Sequence, residues 1–592
     1  MTEDLYAPAS ASPVAAGGWQ SLHLTLHNDG ADTDAFVTEA LAPLMDGRYG
    51  PDGGAWFFIR YHEGGPHLRI RFRGAAASSA ELASELALLA AGTNPVTGSL
   101  PGRHGEVRAA RYEPETERYG GPAALPVAEE VFAHSTRAAV AALRAVPGRA
   151  DRLRLALDLA HATAYALGLD ELDSAGWLRR HAASWRWAAE VRPLPGAAVH
   201  TRVNTVFAAQ RTNLARRARA VRAGLEDGSA DPWLAEWTRQ VRAADARLRT
   251  AVPAKPAVPA VPAVPAVPAA ERPDAPVRTD RRLWVWASQL HMLFNRLGVA
   301  PDEERAVCRL AGRALLETGD GGGFFGAGPR AADYQYLEQS KFQIGRAQDT
   351  AVRSIARPGL PSEYRPPEAE RALPAALLPE LSLAEALRRR SSARGALRGP
   401  LTAEELGGVL WHAHAPSHVS RRPLADGTER TLHHRPYPSA GALYSVRVRL
   451  LALSVAGLAP GTYHCVPERR SLLALGPAPD LDGLKALSSY LSRPAQDPDS
   501  VGVDEAPAVL AVHLDLGLLR RRYGLRALRL GLLEAGHLAQ TLQLTAGAFG
   551  LATIPLGGLQ DDLAHELLGL DDLEEPIQYL LPLGRLDPQG EG

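Results

Sequence analysis

Three stretches of the chain place polar side chains at spacings that suit chemistry on an anionic substrate. In "PHLRIRFRG" a period of two puts Arg69, Arg71 and Arg73 on one face of a strand and Leu68, Ile70 and Phe72 on the other. In "RYEPETERYGG" Glu115 and Arg118 stand three residues apart, one helical turn, ahead of a Tyr-Gly-Gly turn. In "LHMLFNRLG" His291 and Asn295 share one face of an otherwise apolar helix. A guanidinium is always protonated and its fork of N–H donors fits a carboxylate, while an imidazole with a pKa near neutrality gives or takes a proton. Taken singly, each stretch also has a plainer reading: a solvated strand face, an exposed ion pair, a satisfied structural histidine. A fourth cluster, His412, His414 and His418 in "WHAHAPSH" with His433 and His434 nearby, suggests a metal. No acid or cysteine supports it and the spacing is irregular, so a surface helix end is the better reading and no metal is expected.

The elements that must position these residues follow from composition and pattern. At 592 residues the chain exceeds one ordinary core, and length allows roughly two to four domains, of which we take two. A net charge of −1 leaves no electrostatic footprint for nucleic acid or an anionic membrane, so neither is expected as a direct partner. Two cysteines, Cys308 and Cys465, provide no disulfide framework and no multi-cysteine zinc site, which suits a reducing compartment. The opening "MTEDLYAPASASPV" lacks the basic and then apolar run of a signal peptide, and no apolar stretch is long enough to span a bilayer. A cytoplasmic location is expected.

"WQSLHLTLH" and "GAWFFIRYHEGGPHLRIRFRG" predict strands around a Gly-Pro turn. From about Val127 to Leu248 Ala, Leu and Arg recur at helical spacing, with Trp177, Trp185 and Trp187 expected in the core. Two more helices follow, "RRLWVWASQLHMLFNRLG" and "PDEERAVCRLAGRALLETG", the second opening at Pro301 and closing at Gly319. Two breaks interrupt this order. One is the Ala-Val-Pro repeat of residues 251–275, an extended polyproline spacer; the other is the glycine-rich "GDGGGFFGAGP" of residues 319–329. Composition does not choose between them as the domain seam.

Taken together and in this order, "WFFIRY" before "HLRIRF", the Glu115–Arg118 segment and "LHMLFNRL" resemble the glutamate-elimination domain of class I lantibiotic dehydratases, also found as the small dehydratase subunit of thiopeptide pathways. The resemblance covers residues 18–320. It implies that Arg69, Arg71, Glu115, Arg118 and His291 serve elimination of glutamate from glutamylated serine or threonine of a precursor peptide, leaving dehydroalanine or dehydrobutyrine. It also puts the Ala-Val-Pro repeat inside the first domain, because His291 beyond the repeat must return to a site formed before it. The seam is then the glycine-rich stretch, with a linker at 321–331. Full dehydratases carry a large glutamylating domain ahead of this one and nothing precedes residue 18, so a separate tRNA-dependent glutamylating enzyme is expected to supply the ester.

Residues 332–592 resemble the azoline dehydrogenases of the nitroreductase-like flavoprotein fold. The segments that carry this are "RRRSSARG", "RPYPSAGALYSVRVRLLAL", "GTYHC", "RRRYGLRALRLGLLEAGHLAQTLQLTAGAFGLATIPLGGLQDD" and "EEPIQYLLPLGRL". The resemblance implies FMN, its phosphate held by Arg389, Arg390, Ser391 and Arg585. Pro438, Ser439, Ala440 and Gly441, with Gly557 and Gly558, would let backbone approach the flavin ring. The chain departs from the family in two places. A basic residue often found two positions after the phosphate serine is Ala393 here, with Arg394 adjacent. The catalytic Lys-Tyr pair reads Arg522-Tyr523, and arginine does not deprotonate in a protein. Tyr523 is therefore the expected base for azoline oxidation, its phenolate favoured by the neighbouring guanidinium against an ordinary pKa near ~10.

The expected fold is α+β throughout: an N-terminal mixed sheet plus helical elimination domain, and a C-terminal FMN-dependent nitroreductase-like α+β domain. The fusion resembles the bifunctional proteins of lactazole-type thiopeptide pathways. It implies as partners a precursor peptide, the glutamylating enzyme, a cyclodehydratase, and a second copy of the chain through the flavin domain. Two alternatives stand beside it: a pyridine-forming cycloaddition enzyme, or a non-catalytic precursor-binding module, in place of the elimination domain.

Overall fold

The computed structural model describes residues 18–50, 54–74, 79–96, 100–146, 148–184, 193–251, 281–317, 332, 336–337, 340–341, 370–423, 429–494, 497 and 499–586. Trp185, Trp187, the Ala-Val-Pro repeat beyond Ala251 and the glycine-rich stretch 319–329 lie outside these. The chain forms two compact units: the first holds the described residues of Met1–Pro193, Arg202–Ala260 and Asp280–Gly319, the second those of Leu194–Thr201 and Asp320–Gly592.

In the first unit β1 (Gln20–Thr25) leads into α1 (Gly30–Ala35), a π-helical stretch Phe36–Leu41 and α2 (Ala42–Tyr49). β2 (Gly54–Tyr61), β3 (His67–Gly74), α3 (Ser79–Ala91) and β4 (Val107–Ala109) follow, and the sheet order is β2-β3-β1-β4. Where a mixed sheet was expected, all three seams are antiparallel. The short β2–β3 turn leaves no room for a crossover; it passes through Gly64 and Gly65 at φ 74° and 107°, and a Cβ on Gly65 would meet the Pro101 carbonyl oxygen at 2.4 Å. One face of the sheet, with Trp56, Phe58, Leu68, Ile70 and Phe72, packs on Met45, Tyr49, Leu82 and Leu86 of the flanking helices. Burial of each such side chain stabilises the fold by about 1.5–3 kcal/mol. The same alternation leaves Arg69, Arg71 and Arg73 half-buried on the opposite face.

A run of helices follows: α4 (Leu125–Ala145), α5 (Arg149–Ala166), α6 (Glu171–Ser184), α7 (Gly196–Asp227, of this unit from Arg202 on), α8 (Pro232–Ala251), α9 (Arg281–Leu297) and α10 (Pro301–Leu316). α4 and α9 both touch β2. Trp177 of α6 is fully buried and its indole donates to the Leu283 carbonyl at 3.1 Å. α9 buries Trp286, Leu290, Leu293, Phe294 and Leu297, a stripe at helical spacing. α10 opens with Pro301, and the Glu303 carboxylate accepts from the Ala300 N–H at 2.9 Å.

The second unit opens with β5 (Glu370–Ala372), α11 (Leu383–Arg389), β6 (Gly395–Arg398), α12 (Ala403–His414) and the hairpin β7–β8 (His418–Pro423 and Glu429–His434). A 3-10 turn at Ala440–Ala442 leads into β9 (Val446–Ala452), β10 (Gly461–Val466) and β11 (Ser471–Gly476). After α13 (Leu481–Lys485) and α14 (Ser489–Ser492) come β12 (Val501–Gly502), β13 (Ala508–Leu514), α15 (Leu516–Tyr523) and α16 (Ala527–Ala548). β14 (Ala552–Thr553), α17 (Asp561–Leu568) and β15 (Ile577–Leu586) close it. The large sheet runs β12-β6-β15-β13-β9-β10-β11-β5 with β14 beside β15. Its central strands are buried on both faces: Val448, Leu450 and Leu510 meet a core shared with α12 and α16, while Leu451, Val509 and Ala511 meet one shared with α13, α14 and α17. Both units set sheets beside helices without βαβ alternation, an α+β fold as expected.

Candidate active sites

In the first unit the arginine face of β3 is no solvated surface. Arg71 stands across from Phe57 and Ser21, its guanidinium carbon 5.6 Å from the Phe57 ring centre and 4.8 Å from that of Tyr112. Arg69 stands across from Ile59 and His23, lies 3.4 Å over the Tyr61 ring, and donates to His67 Nε2 at 3.2 Å. Arg73 lies 4.9 Å over Trp19. Among the described residues none of the three has a carboxylate partner, and the Arg71 Nε is buried without an acceptor. Burial pulls the Arg71 pKa down, and burial followed by the charges of Arg69, His67 and Arg71 lowers His23 to about 4. Guanidiniums packed on aromatic rings with no counter-ion are costly to keep charged, and an arriving anion relieves that cost.

Glu115 and Arg118 form an ion pair at 2.8 Å, both partly exposed. They sit in a turn rather than a helix, since Pro114 precedes it and Gly120 and Gly121 follow at φ 95° and 94°. Arg118 Nε donates to Ser288 Oγ at 3.3 Å, one turn of α9 ahead of His291. Three of the segments singled out by sequence thus converge: β2 and β3 carry the arginine face, and the turn and β2 both bind α9. The second link is Asn295, whose side chain accepts from the Arg60 N–H and donates to the Arg60 carbonyl, each at 2.9 Å.

Sequence reasoning missed three residues here. His291 Nδ1 lies 2.9 Å from Glu304 Oε2, and Glu304 Oε1 lies 2.5 Å from His181 Nε2. Glu304 is fully buried, which raises its pKa, but His291 and His181 outweigh burial and hold it down at about 2. Arg296 is also fully buried; its Nη1 donates to the Met292 carbonyl at 2.8 Å while Nε and Nη2 find no acceptor. Burial pushes its pKa down to about 9. A charge inside the apolar stripe of α9 was a visible signal for Arg296. For Glu304 and His181, sequence shows only ordinary helix-terminal acids and a helical histidine.

In the second unit the candidates fall into two groups. Gly441 has φ 61°, and a Cβ there would lie 2.5 Å from Tyr523 Oη and 3.4 Å from Arg522 Cζ, so the 438–441 loop and the Arg522-Tyr523 pair are in direct contact. That loop is anchored by Glu534 of α16, another residue the sequence did not single out. It accepts from Ser439 Oγ at 2.6 Å, Ser445 Oγ at 3.3 Å and the Val446 N–H at 3.0 Å, and burial raises its pKa. The other group lies along β15. Ala393 N–H donates to the Thr553 carbonyl at 3.0 Å, tying the 389–391 stretch to β14, and Arg585 pairs across from Arg398. Arg389 is exposed and bonded to Glu385; Arg390 is half-buried and Ser391 exposed; Arg585 pairs with Glu405 at 2.7 Å. Arg394 turns to the Ala393 carbonyl at 3.1 Å. Gly557 and Gly558 are exposed, and Cβ atoms there would meet Tyr579 at 3.7 Å and Tyr490 at 3.4 Å, ordinary contacts beside two aromatic rings.

The histidines of "WHAHAPSH" scatter. His412 bonds to the Ala376 carbonyl, buried His414 to Tyr437, and His418 stacks on His434 across the β7–β8 hairpin. Among the described residues no group of three or more His, Cys, Asp or Glu is placed to hold a metal ion, and no helix is long and apolar enough to cross a membrane.

Residues 19–315, half of the chain, match the family described as lantibiotic biosynthesis dehydratase C-term, and residues 387–585 match the nitroreductase family. The chain belongs to the lantibiotic dehydratase C-terminal family, fused to a nitroreductase domain. Its nitroreductase domain is 30% identical over 206 residues to MJ1384 of Methanocaldococcus jannaschii, a protein named for that family, covering 35% of this chain and 92% of the relative. It is also 30% identical over 141 residues to the microcin B17-processing protein McbC of Escherichia coli, covering 23% of this chain and 49% of McbC, about half its length. Among solved structures the dehydratase–nitroreductase chain is similar to the pyridine synthase TbtD from thiomuracin biosynthesis at 21% identity and a TM-score of 0.37, over 51% of this chain and 98% of that one.

Proposed function

We propose that the chain tailors a ribosomally made precursor peptide through two reactions, one per domain: residues 18–320 eliminate glutamate from glutamylated serine or threonine, and residues 332–592 oxidise azolines to azoles. The observation that carries the first is the pair of guanidiniums of Arg69 and Arg71, which among the described residues have no carboxylate partner, on a sheet bound to the helix of His291. In elimination the α-proton leaves, the Cβ–O bond breaks and glutamate departs with the electron pair of that bond. Arg69 and Arg71 supply counter-charge to the glutamyl carboxylate and the developing enolate oxygen without protons of their own to lose. Arg118, held by Glu115 and Ser288, stands at the rim of the same site. His291 exchanges the proton, taking the α-proton at Nε2 and returning it to the departing carboxylate.

For the second reaction, Arg389, Arg390, Ser391 and Arg585 are the residues that would hold the FMN phosphate, and residues 438–441 with Gly557 and Gly558 those that would line its ring. The exposed glycines beside Tyr490 and Tyr579 fit that role, and the phosphate would compete with Glu385 and Glu405 for the two arginines. Bound FMN supplies a hydride acceptor. Tyr523, set over Gly441 beside Arg522, takes the ring proton of the azoline. This reading includes a separate tRNA-dependent glutamylating enzyme and a cyclodehydratase upstream, a homodimer through the flavin domain, and a cytoplasmic setting.

The test is to incubate the purified protein with a glutamylated peptide and, separately, with an azoline peptide, and to follow both by mass spectrometry. Release of glutamate in the first and loss of two hydrogens in the second, by a yellow protein that yields FMN on extraction, is the expected result. Formation of a pyridine from a bis-dehydroalanine peptide, or retention of the glutamyl ester, removes the elimination reading.

A further inference from the structure

Glu304 joins three helices at one point. From the first turn of α10 its two oxygens reach His291 Nδ1 on α9 at 2.9 Å and His181 Nε2 on α6 at 2.5 Å, and its side chain is fully buried. We propose that Glu304 is a positioning residue of the elimination site: it fixes the His291 ring with a proton on Nδ1, so that Nε2 is the nitrogen that exchanges a proton with substrate, while His181 holds the carboxylate from behind. The inference rests on the elimination reading of this domain.

The argument is one of donors and acceptors. An ionised carboxylate only accepts, so each ring nitrogen facing it carries its hydrogen. The two flanking histidines hold Glu304 ionised even at low pH, which makes both contacts N–H to oxygen. A neutral imidazole has one N–H, and when Nδ1 carries it Nε2 presents a lone pair. A histidine in water favours the opposite tautomer, so an anchored Nδ1–H reverses the default. His181 follows the same logic from the other side: its Nε2 donates to Glu304 and its Nδ1 is buried without a partner, so the neutral ring with Nε2–H leaves no N–H unsatisfied. Cys308 lies on the same helix, and burial and the charge of Glu304 keep its thiol protonated. A buried carboxylate orienting an imidazole through Nδ1 is a known way to set a proton-transfer group.

Two measurements test this in the full-length protein. The first needs no substrate: ¹⁵N spectra of histidine-labelled protein, with His291 assigned by its loss in His291→Ala. The parent is expected to show the Nδ1–H tautomer at His291 and Glu304→Gln to relax toward Nε2–H; a parent ring in the Nε2–H form overturns the proposal. The second uses a glutamylated peptide. Glu304→Gln is expected to lower kcat by ~10²-fold with KM near the parent value, Glu304→Asp to restore part of it, and His291→Ala/Glu304→Gln to be no slower than His291→Ala. Multiplying losses in the double variant, or a KM rise at unchanged kcat, overturns it as well. A parent that releases no glutamate but shows Nδ1–H would sink the reaction and leave the positioning intact.

Discussion

Arg71 and Tyr523 illustrate how far a residue's neighbours decide its chemistry. Arg71 rests between Phe57 and Tyr112 with an unpartnered Nε, so its charge is available to a substrate anion rather than spent on a protein carboxylate. Tyr523 lies against Gly441 with Arg522 beside it, and no residue larger than glycine leaves room for its hydroxyl there. Tyr523→Phe is expected to keep bound flavin and lose most azoline oxidation, because the phenyl ring packs alike but takes no proton; parental rates in that variant would remove Tyr523 from the mechanism. Arg522→Lys is expected to stay active. Period and spacing made the arginine face, the Glu115–Arg118 pair and His291 legible from sequence. Glu304, His181 and Glu534 were not, because an acid or a histidine on a helix reads as an ordinary polar residue until the element that covers it is known.

At the scale of elements, the decisive contact is the clamp by which Asn295 of α9 takes both backbone groups of Arg60 on β2. Asn295→Ala leaves an N–H and a carbonyl unpaired in a part-buried setting and is expected to cost about 2–4 kcal/mol of stability, read as a lower denaturant midpoint. A change below ~0.5 kcal/mol would show that the clamp adds little to the joining of sheet and helix. The strands and long helices followed from periodicities of two and three to four. The antiparallel sense of every seam in the first sheet did not, because pairing direction is set by the β2–β3 turn and by contacts far apart in the chain. Nor did the turn at Glu115–Arg118, where Pro114 and the glycine pair override a helical spacing.

For the whole molecule, the proposed boundary lies after α10. A truncation ending at Gly321 is expected to fold, whereas one ending at Ala251 loses the buried Trp286, Leu290 and Phe294 of α9 and aggregates; cooperative unfolding by the shorter chain would show the boundary misplaced. Stability is also expected to fall with acid. Burial lowers His23 and His161 to about 4, and His414, His464 and His513 well below the ordinary value of 6.5. The unfolded chain therefore binds more protons than the folded one once pH drops below ~6.5, and stability declines through that window toward pH 4. The melting temperature should be lower at pH 5.5 than at pH 7.5, and an unchanged or higher value would contradict the buried neutral state. The central claim is that the first domain eliminates glutamate by means of Arg71 and His291. The most direct measurement is mass spectrometry of a glutamylated peptide treated with the parent, Arg71→Ala and His291→Ala. We predict that the parent releases glutamate, that Arg71→Ala loses the ~2–4 kcal/mol of an oxyanion-type contact, and that His291→Ala accumulates the ester while azole formation continues in both variants. Glutamate release at the parent rate by His291→Ala would contradict the account.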